Sequence, residues 1–288
     1  MKFRAAGLTD IGCTRKENQD SFLIEELAVG DVPALLAIVA DGVGGSKAGS
    51  IASGTLVNAL REFYKKTGQG DLYDLRRAIE EANRILYKMA SENSEYAGMA
   101  TTCTGMLIVG QDVTIGHAGD SRAYKMRNGN IEMLTEDDTL VGRMLREGLI
   151  TSEEAKDHPQ RHVITRAVGA MREILVSIYK SRIGENDRFL LCSDGLYKYF
   201  SEEELIEITS KTPVDISVER LVDMAKERGG EDNITAVLVE AEAKAGRKTE
   251  RIECTDFDPK PKRRARAPCL VLIMVLILAG ILVYIRYS

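Results

Sequence analysis

The chain has 288 residues, 44% hydrophobic and 29% charged, with a net charge of −5. That length allows one large domain or two small ones, and the composition excludes a disordered or collagen-like chain. The acidic balance argues against a nucleic-acid partner. Five cysteines with no Cys-x-x-Cys pair, and three scattered histidines, exclude a disulfide scaffold and a zinc site.

In chain order, residues 1–8 lack the apolar run of a signal peptide, so the bulk of the chain is expected in the cytoplasm. Residues 21–25 and 34–40 read as strands. A Gly/Ser-rich turn leads into a helix over 51–64. A second helix over 72–91 carries Leu75, Ile79, Ala82, Ile85, Leu86 and Met89 on one face. Apolar runs at 102–109, 113–116, 174–179, 188–192 and 234–239 read as strands, as does 122–126. The run Ser201-Glu-Glu-Glu204 matches a capping box opening a helix, and 214–228 is another helix. Helices come in pairs and strands mostly follow strands, which points to an α+β fold with stacked sheets.

The C-terminal end differs in kind. Residues 243–267 read as a charged linker that ends in five cations between Lys260 and Arg266. Residues 269–285 are 17 uncharged, mostly apolar residues. As a helix they would cover about 26 Å, slightly less than a hydrocarbon core of about 30 Å. The expectation is a single-pass anchor over 268–288, with the preceding residues on the cytoplasmic face and the cations against lipid head groups. A buried core helix is the rival reading of the span, and nuclear targeting or nucleic-acid binding that of the basic run.

Five aspartates stand where an apolar run meets a loop: Asp20, Asp41, Asp120, Asp194 and Asp232. A lone Asp-Gly such as Asp41-Gly42 or Asp194-Gly195 is ordinarily a turn. Five such sites in one domain have another reading, since carboxylates gathered at strand ends suit a hard divalent cation such as Mg²⁺ or Mn²⁺. The glycines of residues 42–50 match neither the P-loop nor the dinucleotide pattern, so a backbone carbonyl ligand from Gly42 suits them better. A nucleophile elbow, a cysteine-phosphatase loop and His-Glu-x-x-His are all missing, which favours an activated water over a side-chain nucleophile.

Together, Arg15-Lys-Glu-Asn-Gln-Asp20, Asp41-Gly-Val-Gly-Gly45, Gly119-Asp-Ser-Arg122, Ser193-Asp-Gly195 and Asp232-Asn233 resemble the motif series of the PP2C-type (PPM) Ser/Thr protein phosphatases, bacterial branch. The resemblance covers residues 1 to about 240. It implies a four-layer α-β-β-α sandwich over 1–242 and a centre of two or three Mn²⁺ or Mg²⁺ ions. By position, Asp20 resembles the first-metal acid, Asp41 the bridging ligand and Gly42 the carbonyl ligand. Asp194 and Asp232 resemble second-metal ligands, and Asp120 joins Asp194 at a third ion. Arg15 stands where the family binds phosphate, and residues 139–169 resemble the flap beside the cleft. Two departures are visible: Gln19 replaces an acid often found there, and Val43 stands where many eukaryotic members carry a histidine. The implied activity is hydrolysis of phosphoserine and phosphothreonine in proteins, by a metal-activated water, at the membrane's cytoplasmic face. Phosphoproteins and a membrane Ser/Thr kinase are the implied partners. A catalytically weak scaffold of the same fold and a small-molecule phosphoesterase are the alternatives.

Overall fold

The computed structural model describes residues 2–29, 31–44, 47–66 and 74–242. The linker and membrane span expected over 243–288 lie outside the described residues. Among the described residues, no helix is long and apolar enough to cross a membrane.

Eleven described strands and seven described helices follow in this order: β1 (Phe3–Asp10), β2 (Asp20–Val29), β3 (Val32–Val43), α1 (Ala48–Lys66), α2 (Leu75–Glu92), β4 (Ala100–Thr101), β5 (Cys103–Val109), β6 (Asp112–Ala118), β7 (Arg122–Arg127), β8 (Asn130–Met133), α3 (Leu140–Arg146), α4 (Ser152–Lys156), β9 (Ser177–Arg182), β10 (Arg188–Cys192), α5 (Asp194–Tyr197), α6 (Glu202–Ser210), α7 (Val214–Glu227) and β11 (Ile234–Ala241). One antiparallel sheet runs β1-β11-β10-β7-β8. The other runs β2-β3-β5-β6-β9, with β4 paired to the end of β3.

Side-chain alternation along the central strands explains the layering. On β3, Leu36, Ile38 and Ala40 face α1 and α2, meeting Leu56, Leu60, Ile79 and Leu86. The intervening Leu35, Ala37 and Val39 face the other sheet, meeting Phe189, Leu191, Val237 and Val239. On β11, Ile234, Ala236 and Leu238 face Leu205, Val218, Leu221 and Val222 of α6 and α7. Both faces of these strands are covered, so their sequences are continuous apolar runs rather than alternating ones. The outcome is the expected α-β-β-α order of layers.

Local signals placed the helix starts. Asp74 accepts a hydrogen bond from the Arg77 N–H at 2.9 Å and caps α2. Ser201 and Glu204 form the expected capping box at α6. One strand is displaced: the run read at 174–179 pairs only from Ser177, with Ile178 opposite Gly116 and Arg182 opposite Asp112. Val176, although apolar, is buried against the α1/α2 layer ahead of the strand. The sequence reading also omitted β1, an edge strand whose eight residues are mostly half-buried and mix polar with small side chains.

Candidate metal and phosphate site

The acids converge because the strands that end in them sit side by side. In the β2–β3 ladder Asp20 lies directly opposite Asp41. β3 continues through Gly42, whose N–H donates to the Gln19 carbonyl at 3.1 Å. A Cβ at Gly42 would lie 2.2 Å from the Gly49 carbonyl oxygen, so only glycine lets α1 begin this close to the strand end. Asp194 opens α5 directly after β10. A Cβ on Gly195 would sit 1.9 Å from the Asn233 carbonyl oxygen, and that close approach brings the Asp194 turn against the Asp232 turn. Asp120 occupies the β6–β7 turn, where the Thr102 and Ser121 hydroxyls meet at 2.8 Å and Thr102 Oγ1 accepts the Asp41 N–H at 2.9 Å.

These residues line one cavity of about 470 Å³: Asp41, Gly42, Asp120, Asp194 and Asp232, with Arg15 at its rim. Asp20 is not on the wall but lies buried beneath it, 6% exposed. Its Oδ2 accepts from Ser193 Oγ at 2.7 Å and from Thr235 Oγ1 at 2.6 Å. All the acids anticipated from the sequence thus surround one cleft. Among the described residues no three Asp, Glu, His or Cys side chains close on a point as a ready-made ion cage. The acids stand around a space instead.

Their electrostatics are those of carboxylates awaiting a cation. Asp20 Oδ1 and Asp194 Oδ1 are buried with no hydrogen-bond partner, an arrangement that is costly unless a positive group arrives. Burial pushes the Asp20 carboxyl up to about 6, against the two hydroxyl donors and with the charges of Asp194 and Asp232 adding to it. Asp120 is pushed to about 7, by burial first and then by Asp194 and Asp137. Asp41 is raised well above the carboxylate range by burial, then by Asp20, Asp194, Asp120 and Asp232. Burial also raises Asp194, although the Lys198 ammonium opposes it. An all-oxygen set of aspartates and one backbone carbonyl fits Mg²⁺ or Mn²⁺ and suits no softer metal.

Arg15 reaches the site from the loop between β1 and β2, and its Nη2 donates to Asp232 Oδ2 at 2.7 Å across 217 residues of sequence. Buried Asn233 holds that loop. Its Nδ2 donates to the carbonyls of Ile11 at 2.9 Å and Glu17 at 3.0 Å, while its Oδ1 accepts the Gln19 N–H at 2.8 Å. Lys226 adds a bond to Asp10 at 2.9 Å at the start of the loop.

Sequence reasoning missed three residues of the cavity wall: His162, Ile164 and Lys198. Only the expected flap range pointed toward the first two. The flap is tied down at its base: Asp138 N–H donates to the Gly119 carbonyl at 2.7 Å, Thr165 N–H to the Asp138 carbonyl at 2.7 Å, and Leu140 N–H to the Val163 carbonyl at 2.8 Å. A second cavity of about 460 Å³ continues from the first beneath the flap. Its lining mixes Val141, Leu145, Ala155 and Tyr197 with Arg122 and Arg161. Arg122 is held there by two bonds to Asp137, at 3.0 and 2.7 Å, and lies 3.8 Å over the Tyr197 ring.

Comparison with known proteins gives a consistent result. The family model described as protein phosphatase 2C matches residues 14–239. The serine/threonine protein phosphatase PstP of Mycobacterium tuberculosis is 37% identical over 242 residues, which are 83% of this chain and 45% of that protein. This chain therefore spans less than half of the mycobacterial relative's length. The serine/threonine phosphatase stp of Listeria monocytogenes is 35% identical over 238 residues, 81% of this chain and 93% of that one. A crystal structure of the PstP catalytic domain in complex with two manganese ions superposes with a TM-score of 0.72 at 34% identity, covering 84% of this chain and 99% of that one.

Proposed function

Because this chain belongs to the protein phosphatase 2C family, we propose that it is a metal-dependent protein phosphatase that hydrolyses phosphoserine and phosphothreonine. The observation that carries the reading is the ring of aspartates around one cleft, with Asp20, Asp41, Asp120 and Asp194 raised by burial and two carboxylate oxygens orphaned. Bound Mn²⁺ or Mg²⁺ would supply Lewis-acid activation of water and neutralise phosphoryl charge. Asp20, Asp41, the Gly42 carbonyl, Asp194 and Asp232 would hold two such ions, and Asp120 with Asp194 a third.

The chain's own residues do the rest. Ser193 and Thr235 fix the Asp20 carboxylate by donating to one oxygen and leave the other for a cation. Asn233 fixes the loop that carries Arg15. The Arg15 guanidinium has several donors; with Nη2 on Asp232, the others are available to the equatorial oxygens of a phosphoryl group. The flap and the mixed polar and apolar cavity beneath it provide a wall for the polypeptide that bears the phosphate.

Phosphate release from phosphoserine and phosphothreonine peptides with Mn²⁺, with EDTA, and in the Asp41→Ala and Asp194→Ala variants tests this reading. Undiminished activity in EDTA or in either variant refutes it. Activity on nucleotides with none on phosphopeptides favours the small-molecule reading, and no activity with Mn²⁺ bound favours the scaffold.

We also propose that residues 268–288 anchor the enzyme in a membrane with residues 1–242 on the cytoplasmic face. The uncharged stretch at 269–285 and the five cations before it support this. A kinase of the same membrane is then the natural opponent. Recovery of the full chain in the supernatant after an alkaline wash of membranes would count against the anchor.

A further inference from the structure

Hydrolysis of a phosphoserine leaves a strongly basic alkoxide unless a proton reaches the departing oxygen, and a positioned side-chain acid contributes about 10²–10⁴-fold to such a step. Val43 stands where the resemblance places the histidine of many eukaryotic members, and it offers no proton. The structure supplies a different place to look. The departing oxygen joins the phosphoryl group to the polypeptide, so it must lie where the acid-lined cavity meets the flap-covered one. Asp120, His162, Asp194 and Lys198 line both cavities and mark that junction. The two aspartates are acceptors committed to the cation site, so only His162 and Lys198 remain as donors. Of the two, His162 is the one carried by the flap that covers the second cavity, whereas Lys198 follows α5 on the opposite wall. Both side chains lie within electrostatic reach of Asp194, Lys198 with the larger effect.

The backbone around His162 supports a positioned role. The following residues, 163–165, are the return segment of the flap: Val163 accepts from Leu140, Ile164 forms an isolated bridge with Thr139, and Thr165 donates to Asp138. Asp138 in turn is joined in both directions to Gly119, next to Asp120, through its N–H and through Oδ2, which accepts the Gly119 N–H at 3.2 Å. The histidine is therefore held in register with the acid-bearing turn although 42 residues separate His162 from Asp120.

Building on the phosphatase reading, we infer that His162 is the general acid that protonates the serine or threonine oxygen as it leaves. The attacking water oxygen forms the new P–O bond, and the bond from phosphorus to the side-chain oxygen breaks. Its electron pair stays on that oxygen and takes the imidazolium proton. The proton released by the attacking water returns through solvent to the imidazole, so the products are the free hydroxyl and inorganic phosphate.

The test compares a phosphoserine peptide with p-nitrophenyl phosphate, whose phenolate departs without a proton. In the full chain with Mn²⁺, His162→Gln is expected to lower kcat on the peptide about 100-fold. The loss on the aryl ester should be at least tenfold smaller. The Mn²⁺-induced rise in melting temperature should match the parent's, and His162→Asn provides a second variant with the same expectation. Equal losses on both substrates, or no loss on the peptide, overturn the assignment while leaving the phosphatase reading intact. A peptide-specific loss in Lys198→Gln instead overturns it in favour of the lysine. A parent chain inactive on both substrates overturns the phosphatase reading, and the assignment falls with it.

Discussion

Replacing Asn233 by alanine should cost the domain several kcal/mol and loosen the loop that carries Arg15. Asn233 is 4% exposed and makes three side-chain hydrogen bonds, to the Ile11 and Glu17 carbonyls and from the Gln19 N–H. Each net bond is worth about 1 kcal/mol. The three backbone groups left behind matter more, since a buried group without a partner costs about 1–3 kcal/mol. Water reaches part of this loop, so the lower end applies, and the sum is roughly 3 kcal/mol. For a domain of this size each kcal/mol moves the melting temperature by about 2–4 °C, so a drop of roughly 6–12 °C is expected by differential scanning fluorimetry. The same loop carries Arg15, so KM for a phosphopeptide should rise in the surviving folded fraction. A melting temperature within 2 °C of the parent, a threshold of roughly half a kcal/mol, would show that Asn233 does not tie the loop to β11.

The remaining predictions concern charge and space. Asp120 is pushed from an ordinary carboxylate value to about 7. In EDTA the folded state then binds more protons than the unfolded one between about pH 4 and 7, and stability falls as pH rises through that window. Asp120→Asn should therefore stabilise the metal-free domain at pH 8 by an amount on the order of 4 kcal/mol, seen as a higher melting temperature, and change it little at pH 4.5; an equal change at both pH values argues against the raised pKa. With Mn²⁺ present the proposed ligand role of Asp120 predicts the opposite sign at pH 8, and a fluorimetric Mn²⁺ titration should show weaker binding in the variant. Gly195→Ala should abolish soluble expression or lower melting by more than 10 °C, on the order of 3 kcal/mol, because its Cβ would meet the Asn233 carbonyl oxygen at 1.9 Å; normal melting would show that the two turns can separate. Arg15→Ala should raise KM on phosphopeptides at least tenfold and kcat much less if it contributes uniform binding, and unchanged KM in steady-state assays would remove it from the phosphate site.

Much of the fold was legible because the central strands are buried on both faces. Runs such as Leu35 to Ala40 and Ile234 to Val239 contain little but apolar residues, and each stops at an acid or a turn. β1 was not legible, because an edge strand packs on few neighbours and tolerates Arg4 and Thr9 among small residues. The start of β9 was misjudged because apolarity marks burial, not pairing: Ile174 and Val176 pack against helices ahead of the strand.

What the amino-acid order by itself determined was the chemical kind of site: aspartates at strand ends beside small residues, with an arginine five positions before the first of them. Tertiary structure alone decided which of these groups meet. Asp20 and Asp41 are brought together by strand register, Arg15 and Asp232 across 217 residues, and His162 by a flap hydrogen-bonded to the Asp120 turn. Local pattern reports what each segment buries, because burial is set by a residue and its near neighbours. Convergence of charges depends on how twisted sheets stack and which loops their ends present, and no single segment carries that information.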